Sequence, residues 1–549
     1  MKQLKKMAAV LLAFMLVLTL MPANSIADEP TSKLIVQGVE DGAVVSAYKL
    51  TEADFTADGG FKGYKNLIKD ASGKDAFANP SEPKTSEWSA LLNKPVGELG
   101  NAIPLTQASA GGAYESAPQG AGLYMILVTS KEGKKTVSVY NPMLVGISYK
   151  KATDGTETAE GGSISVPANF QLGKDAVLYA KKSDVTLTKT TKDPSEETQS
   201  TLNGQAGESN KGNGLGLGEK PNFKIETTIP SYATTDQNLV FKIEDTLDEG
   251  LTPPKPEEIT VKVGGQAITA GDTTAKIAVN GQKITIDFVE SYLQSLGKET
   301  AENRKVEITY SATLNDKATV NFKANENNVS LTYTNDPKTE NGKKTITDKT
   351  YHYTFDIDGL LNGEGSETSH EITKHHDKTD TTTWKDLPLE GAKFGLFDKD
   401  PSDQTAKMLQ DVTTDDTGRM NFKKLDEGVY YIKEIQAPNG YSLNDKVYTV
   451  EITADYNTDG TLKSYSITIN DEATTTFTAV DVADDTDEIK DGVITNPDTP
   501  TLINNTPLPG LPTTGGMGTY LFTGIGVALL AGAAVMVTVL RKKNGQTTR

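Results

Sequence analysis

Three side chains in the C-terminal third of the chain place an amine, a carboxyl group and a carboxamide on apolar faces. Alternate residues of an extended strand face the same way. The pairs that share a face are Ile372 with Lys374, Ile432 with Glu434, and Ile503 with Asn505. Burial lowers the pKa of an amine and raises that of a carboxylic acid, so a neutral nucleophile and a proton donor would face a carboxamide. An unpaired buried carboxylate is costly, so Glu434 requires such partners.

We call Lys374, Glu434 and Asn505 the C-terminal set, and an analogous middle set precedes it in the chain. Alternation along a strand places Lys189 on the same face as Leu187, Asp245 on the same face as Ile243, and Asn327 on the same face as Val329. Asn335 shares the parity of Asn327 and remains an alternative, whereas Asn504 faces away from the C-terminal set. Each set is compatible with a buried ion pair beside a hydrogen-bonded asparagine, or with covalent chemistry among the three groups.

The elements that would hold these residues are antiparallel strands. Apolar and polar residues alternate with a period of two in VTLTK (185–189), LVFKIED (239–245), KITIDF (283–288) and YTVEI (448–452). That period is typical of sheets with one buried face. Helical patterns are sparse, and the best candidates are SEWSALLNK (86–94) and VESYLQSL (289–296). The predicted fold class is all-β, with three tandem immunoglobulin-like β-sandwich domains.

The composition argues against several classes of protein. The chain of 549 residues has a formal net charge of −19, which disfavours nucleic acid and anionic lipid as partners. It has no cysteine, so no disulfide can stabilise it. With four histidines and no Ser-His-Asp signature, an extracellular enzyme is not expected, and neither is a cofactor or a metal.

The two ends of the chain indicate export and retention at a membrane. Residues 1–27 combine a lysine-rich start, an apolar run and small residues before a cleavage site, which is typical of a signal peptide. Residues 520–540 are uncharged and long enough to cross a bilayer, and the basic tail 541–549 follows. Composition shifts predict an N-terminal domain, a middle domain and a C-terminal domain at 28–180, 181–363 and 364–509.

LPTTG lies directly before the apolar span and the basic tail. This three-part order resembles the cell-wall sorting signal of Gram-positive surface proteins, here residues 510–549. The resemblance implies that a sortase recognises Leu511, Pro512, Thr513, Thr514 and Gly515 and cuts between the last two. The enzyme would hold Thr514 as a thioester until an amine displaces it.

The stretch VLYAKKSDVTLTK offers that amine. It resembles the pilin motif of sortase-assembled backbone pilins, whose core is Tyr-Pro-Lys-Asn. Tyr179 and Lys181 match the motif, whereas Ala180 and Lys182 replace the proline and the asparagine. The resemblance implies that Thr514 of one subunit is joined to Lys181 of the next, with Lys182 as the alternative acceptor.

GVYYIKEIQAPNGY (428–441) resembles the E-box of pilin domains of the collagen-adhesin B type. In that family a buried glutamate promotes a spontaneous isopeptide bond between lysine and asparagine. The resemblance implies that Glu434 promotes a bond between Lys374 and Asn505.

The middle set resembles the A-type adhesin domain, in which an aspartate takes the same role. This implies that Asp245 promotes a bond between Lys189 and Asn327. GLYMILV (122–128) resembles a degenerate E-box that has Val128 where a carboxylate would stand, so the N-terminal domain is expected to lack such a bond.

The resemblance covers nearly the whole chain and implies a structural protein, the major backbone subunit of a covalent pilus attached to the cell wall. Expected partners are pilus-specific and housekeeping sortases, copies of the chain itself, other pilins, peptidoglycan, and a host or bacterial surface ligand. The alternative is a monomeric or tip adhesin anchored to the wall, which requires the sorting signal but not Lys181.

Overall fold

The structure is a computed structural model that describes residues 32–55, 61–70, 72–81, 83–92, 94–131, 137–147, 149–151, 170–172, 176–192, 211–234, 236–337, 342–358, 371–376, 387–480, 491–494, 501–508 and 517–544. Contacts divide the chain into two compact units. The first comprises 1–318, 324–352 and 457–461, and the second comprises 319–323, 353–456 and 462–549. The predicted signal peptide and the LPTTG stretch lie outside the described residues.

The first unit begins with a strand-rich region that follows the predicted N-terminal domain. Its strands are β1 (Leu34–Gln37), β2 (Val44–Phe55), β3 (Phe61–Asn66), β4 (Ala102–Gln107), β5 (Tyr114–Ser116), β6 (Gly122–Thr129), β7 (Val137–Tyr140), β8 (Met143–Ile147), β9 (Tyr149–Lys151), β10 (Phe170–Leu172), β11 (Ala176–Tyr179) and β12 (Lys182–Val185). Helix α1 (Thr85–Leu92) follows β3. The main sheet has the order β11-β1-β5-β4-β2-β6-β8, with β3 on β2.

The rest of the first unit is a two-sheet region that contains the middle set. Its strands are β13 (Leu187–Lys192), β14 (Gly212–Gly214), β15 (Asn222–Thr228), β16 (Phe241–Leu247), β17 (Leu251–Thr252), β18 (Thr260–Val263), β19 (Gln266–Ala267), β20 (Ala275–Asn280), β21 (Lys283–Phe288), β22 (Lys305–Ser311), β23 (Thr313–Leu314), β24 (Asn325–Thr334) and β25 (Lys343–Tyr353). Helix α2 (Glu290–Ser295) follows β21.

The two main sheets of this region share one hydrophobic core. The first has five strands in the order β13-β15-β22-β18-β19, and the second has six in the order β14-β25-β24-β16-β21-β20. Alternate residues face the core, as in β16, where Phe241, Ile243, Asp245 and Leu247 are buried. The core therefore contains apolar side chains from both sheets, and it also receives the polar residues that share their parity.

The second unit has a large sheet and two strand pairs. Its strands are β26 (Phe355–Ile357), β27 (Ile372–His376), β28 (Lys393–Phe397), β29 (Met408–Thr413), β30 (Phe422–Leu425), β31 (Gly428–Gln436), β32 (Val447–Tyr456), β33 (Leu462–Ile469), β34 (Ala473–Val480), β35 (Asp491–Ile494) and β36 (Thr501–Asn505). Seven of them form the sheet β29-β28-β31-β32-β33-β34-β35. The remaining pairs are β26 with β30 and, in parallel, β27 with β36.

Helix α3 (Met517–Asn544) ends the described chain. Within the described residues it is the one helix long and apolar enough to cross a membrane, over Thr523–Lys542. The span predicted at 520–540 is therefore confirmed as an apolar helix. The all-β class is confirmed as well, and α1 and α2 fall at the two segments predicted to be helical. The exact domain boundaries remain predictions.

Candidate functional site

The C-terminal set converges in the core of the second unit. Lys374 on β27, Glu434 on β31 and Asn505 on β36 are each at most 1% exposed. Lys374 Nζ donates a hydrogen bond of 2.6 Å to Asn505 Oδ1 and lies 3.7 Å from Glu434 Oε1. Asn505 Nδ2 donates to both oxygens of Glu434, at 2.8 and 3.0 Å. The three predicted residues thus form a closed triangle of amine, carboxamide and carboxyl group.

The parallel pairing of β27 with β36 places the amine beside the carboxamide. Its register aligns Lys374 with Ile503, and Lys374 Nζ donates to the backbone carbonyl of Ile503 at 3.1 Å. Asn505 lies two residues further on and faces the same way. Asn504 is exposed instead, and its backbone carbonyl accepts a hydrogen bond from Asn444 Nδ2.

Burial dominates the electrostatics of this triangle. It lowers the pKa of Lys374 from 10.5 to about 8, although Glu434 acts to raise it. About a tenth of such an amine is neutral at pH 7. The backbone N–H of Asn444 donates to Glu434 Oε2 at 2.7 Å and holds the carboxyl group against the carboxamide. The arrangement therefore offers a buried nucleophile and a fixed proton-transfer group.

The middle set also converges, in the core of its two-sheet region. Lys189, Asp245 and Asn327 are at most 1% exposed. Lys189 comes from the five-stranded sheet, whereas Asp245 and Asn327 lie on the neighbouring strands β16 and β24 of the other sheet. Lys189 Nζ forms a buried ion pair with Asp245 Oδ1. Burial lowers the pKa of Lys189 to about 8, although Asp245 acts to raise it.

A fourth residue, Tyr310 on β22, joins the middle set and was missed by the sequence analysis. Its hydroxyl donates to Asp245 Oδ2 and accepts a hydrogen bond of 2.7 Å from Asn327 Nδ2. Lys189 Nζ lies 3.3 Å from the same hydroxyl. Strand alternation could have indicated that Tyr310 is buried, because it lies on the same face of β22 as Ile308. This alternation indicates that the hydroxyl is buried but does not indicate which strand it faces.

The structure brings Asn327 rather than Asn335 into this cluster. Both side chains are buried, at 0% and 3% exposure. Asn335 follows the end of β24, eight residues beyond Asn327 (335 minus 327). That separation is about 26 Å along a strand, too far for both to reach one amine.

Lys181 and Lys182 lie at the start of β12, and both are exposed. Lys182 lies within the strand, and its Nζ is 3.4 Å from a carboxylate oxygen of Asp184. Lys181 precedes the strand, and its backbone carbonyl accepts a hydrogen bond of 3.0 Å from the Asn141 N–H. No hydrogen bond or ion pair is assigned to the Lys181 side chain among the described residues.

The N-terminal region lacks the ingredients of such a site in its described part. Val128 on β6 is buried at 6% exposure and pairs with Val45 on β2. The buried polar side chains described between residues 32 and 180 are hydroxyls, Ser32, Thr51, Ser116, Ser130 and Ser138. No lysine or asparagine is buried with them among those described residues. The sorting residues Leu511 to Gly515 lie outside the described part of the chain.

Four family models match the chain. A T6 antigen Ig-like domain matches 29–183, and the Cna-B-like domain of Gram-positive pilin backbone subunit 2 matches 217–337. The SpaA prealbumin-like fold domain matches 374–466, and the LPXTG cell wall anchor motif matches 503–546. The middle match is described as Cna-B-like, whereas the residues there had suggested the A type.

Two characterised proteins and one solved structure are similar over most of the chain. The trypsin-resistant surface T6 protein of Streptococcus pyogenes serotype M6 is 24% identical, covering 95% of this chain and 96% of that protein. Fimbrial subunit type 2 of Actinomyces naeslundii is 22% identical, covering 92% and 84%. The structure of the T6 backbone pilin of serotype M6 Streptococcus pyogenes has a TM-score of 0.57 at 20% identity, covering 88% and 100%.

The strand-rich domains, the pilin-domain matches and the LPXTG motif define a surface protein of the pilin class with a cell wall anchor. The chain is homologous to Gram-positive backbone pilins, with the T6 protein as a relative along nearly its whole length.

Proposed function

We propose that this chain is the backbone subunit of a covalently polymerised pilus, in which sortase joins Thr514 of one subunit to Lys181 of the next. The observation that carries the proposal is a contrast among lysines. Lys189 and Lys374 are fully buried beside a carboxyl group and a carboxamide, whereas Lys181 is exposed. The buried amines suit internal bonds, and the exposed one suits an enzyme that delivers an acyl group from outside.

The internal chemistry follows from the contacts in the C-terminal set. The neutral Nζ of Lys374 attacks Cγ of Asn505, the Nζ–Cγ bond forms, and the Cγ–Nδ2 bond breaks. Nζ loses one proton, Nδ2 gains one, and ammonia leaves. Glu434 contacts both nitrogens and carries the proton between them. One slow turnover is sufficient, because the product is the protein itself. The middle set forms its bond between Lys189 and Asn327 in the same overall reaction.

The two bonds define a short covalent path for tension. Force enters at Lys181 and crosses from Lys189 to Asn327, which bypasses residues 190–326. It then crosses from Lys374 to Asn505 and leaves at Thr514. The region before Lys181 lies outside this path and contains no predicted bond. The regions that carry load are therefore the ones that are cross-linked.

The proposed partners follow from this assembly. A pilus-specific sortase would join subunits, and a housekeeping sortase would transfer the finished fibre to peptidoglycan. Other pilins would occupy the ends, and the fibre would support adhesion to a host or bacterial surface. The protein itself is then a structural subunit and a sortase substrate, and its own chemistry is confined to the two internal bonds.

The test is a search for the intersubunit bond in native material. Wall-bound protein is released from the cell, digested and searched by mass spectrometry for a peptide that joins Thr514 to a lysine side chain. We expect Thr514 on Lys181, and Lys181→Arg should abolish polymers while Lys182→Arg leaves them intact. Thr514 on Lys182 would move the acceptor by one residue. Thr514 found only on wall peptide would overturn the polymer and support a monomeric adhesin.

A further inference from the structure

The middle set differs from the C-terminal set in how its carboxyl group reaches the carboxamide. Within the described residues no hydrogen bond joins Asp245 to Asn327. The Tyr310 hydroxyl lies between them, in contact with Asp245 Oδ2 and 2.7 Å from Asn327 Nδ2. It is also 3.3 Å from Lys189 Nζ. One hydroxyl therefore contacts both nitrogens that exchange a proton when the bond forms.

The contacts of the carboxamide place its nitrogen, and not its oxygen, against the hydroxyl. Asn327 Nδ2 donates to the Tyr310 hydroxyl, whereas Oδ1 is buried and has no hydrogen-bond partner among the described residues. The hydroxyl is therefore positioned to protonate the leaving nitrogen.

Tyr310 packs against a second aromatic ring and remains protonated. Its ring stacks on Phe223, with centroids 5.1 Å apart. Burial, together with Asp245, raises the pKa of the phenol well above 10. The hydroxyl therefore keeps a proton to donate at any ordinary pH.

We propose that Tyr310 is a catalytic residue of the middle site, which delivers a proton to the leaving nitrogen of Asn327 and recovers one from Asp245. The inference rests on the proposed isopeptide bond and adds the group that completes it. Lys189 Nζ attacks Cγ of Asn327 and gives a proton to Asp245, while Tyr310 gives its proton to Nδ2. Ammonia leaves, and the proton on Asp245 passes to the phenolate. The net change is the loss of one ammonia and the gain of one amide bond.

The test compares two tyrosines in the same core. Tyr310→Phe removes the hydroxyl and keeps the stacked ring. Tyr333→Phe is the matched control, because the Tyr333 hydroxyl is also buried but makes no hydrogen bond with the described residues. Chain 28–514, which the proposed processing leaves, is made by cell-free synthesis. Formation of each bond is then followed over time by the loss of about 17 Da and by mapping of the cross-linked peptides.

We expect Tyr310→Phe to slow the bond between Lys189 and Asn327 by about a hundredfold or more, the usual size of a general-acid contribution. Tyr333→Phe should leave that rate unchanged. The C-terminal bond serves as an internal control and should form at the wild-type rate in both variants. Wild-type rates in Tyr310→Phe would overturn the inference. Absence of the middle bond in the wild-type chain would instead overturn the proposed function at this site.

A double variant separates catalysis from packing. If Asp245 acts through Tyr310, then Asp245→Ala combined with Tyr310→Phe should be no slower than Asp245→Ala alone. Multiplying effects would show that the two residues act independently and would contradict the relay. Melting temperatures are compared in an Asn327→Ala background, where no middle bond can form. If Tyr310→Phe lowers the melting temperature there far more than Tyr333→Phe does, the slow rate is assigned to folding and the inference is overturned.

Discussion

The two sites contain the same three chemical groups but connect them differently. In the C-terminal site, Glu434 contacts Asn505 directly through both carboxylate oxygens. In the middle site the shorter Asp245 reaches Asn327 through the Tyr310 hydroxyl. In the proposed chemistry, one additional methylene group in the acid and one phenol on a facing strand are alternative routes for the same proton transfer.

The largest expected effect tests whether both sites end in a covalent bond. Asn505→Ala and Asn327→Ala each remove the electrophile and leave the lysine beside its carboxyl group. The loops closed are similar, 131 residues from Lys374 to Asn505 (505 minus 374) and 138 from Lys189 to Asn327 (327 minus 189). By the loop-closure estimate used for disulfides, each variant should lose about 5 kcal/mol of unfolding free energy.

Denaturant unfolding with protease sensitivity measures this loss. The matched controls are the neighbouring exposed asparagines, Asn504→Ala and Asn328→Ala, which should stay within about 0.5 kcal/mol of wild type. Equal stability of Asn505→Ala and Asn504→Ala would count against a C-terminal bond.

The next prediction tests whether a carboxyl group alone can create a third cross-linking site, in the N-terminal domain. Val128→Glu places a carboxyl group in the buried position that corresponds to Glu434, where no buried lysine or asparagine is described. We expect no loss of ammonia in this domain and a destabilisation on the order of 3 kcal/mol from the unpaired buried charge. Val44→Glu, at a position that is 65% exposed, is the control and should be nearly neutral. A new cross-linked peptide in Val128→Glu would contradict the requirement for all three groups.

A further prediction concerns the direct contact in the C-terminal site. Glu434→Asp withdraws the carboxyl group from Asn505 by about 1.5 Å, one C–C bond. Because the site supplies no hydroxyl in the place of Tyr310 among its described contacts, the bond should form about a hundredfold more slowly. Peptide mapping over time gives the rate, with the exposed Glu451→Asp as the control. An unchanged rate would show that direct contact is unnecessary.

The smallest effect is a pH dependence that the two sites should share. Each lysine must be neutral to attack, and burial lowers the pKa of both Lys374 and Lys189 to about 8. The rate of each bond should therefore rise about tenfold per pH unit toward pH 8 and then level off.

The other charged groups near Lys189 do not reverse this expectation. Asp348 raises its pKa and Lys211 lowers it, both less strongly than burial. Burial lowers the pKa of His352 to about 3, so this imidazole stays neutral across the range. Bond formation followed from pH 5 to 10 tests this expectation, and a rate that does not change between pH 5 and 8 at either site would contradict attack by the neutral amine there.

Much of the architecture could be predicted from local patterns in the sequence. Period-two alternation predicted that Lys374, Glu434 and Asn505 point into the core, because the face on which a strand residue lies can be predicted from its sequence neighbours alone. The three side chains meet only because strands more than a hundred residues apart in the sequence pair with each other, and the alternation pattern carries no information about that pairing. The pairing of β26 with β30 is similarly long-range, and it places residues 353–358 in the second unit, whereas the predicted seam at 363 followed a change in composition.

Tyr310 shows where local patterns stop being informative. Its parity with Ile308 predicts a buried hydroxyl, but many buried tyrosines satisfy that hydroxyl on a backbone carbonyl, as Tyr232 does with Thr334. Its contacts with the middle set depend on the order β13-β15-β22 in one sheet and on the facing strands β16 and β24 in the other. Sheet order is a property of the whole domain, so the sequence alone did not single this residue out.

The intact mass of chain 28–514 tests the central claim most directly. Each isopeptide bond removes one ammonia, so the account predicts a mass about 34 Da below the value calculated from the sequence. Peptide mapping should assign one loss to Lys189 with Asn327 and the other to Lys374 with Asn505. A mass equal to the calculated value, in folded protein, would show that both buried lysines remain ion-paired amines and would contradict the account.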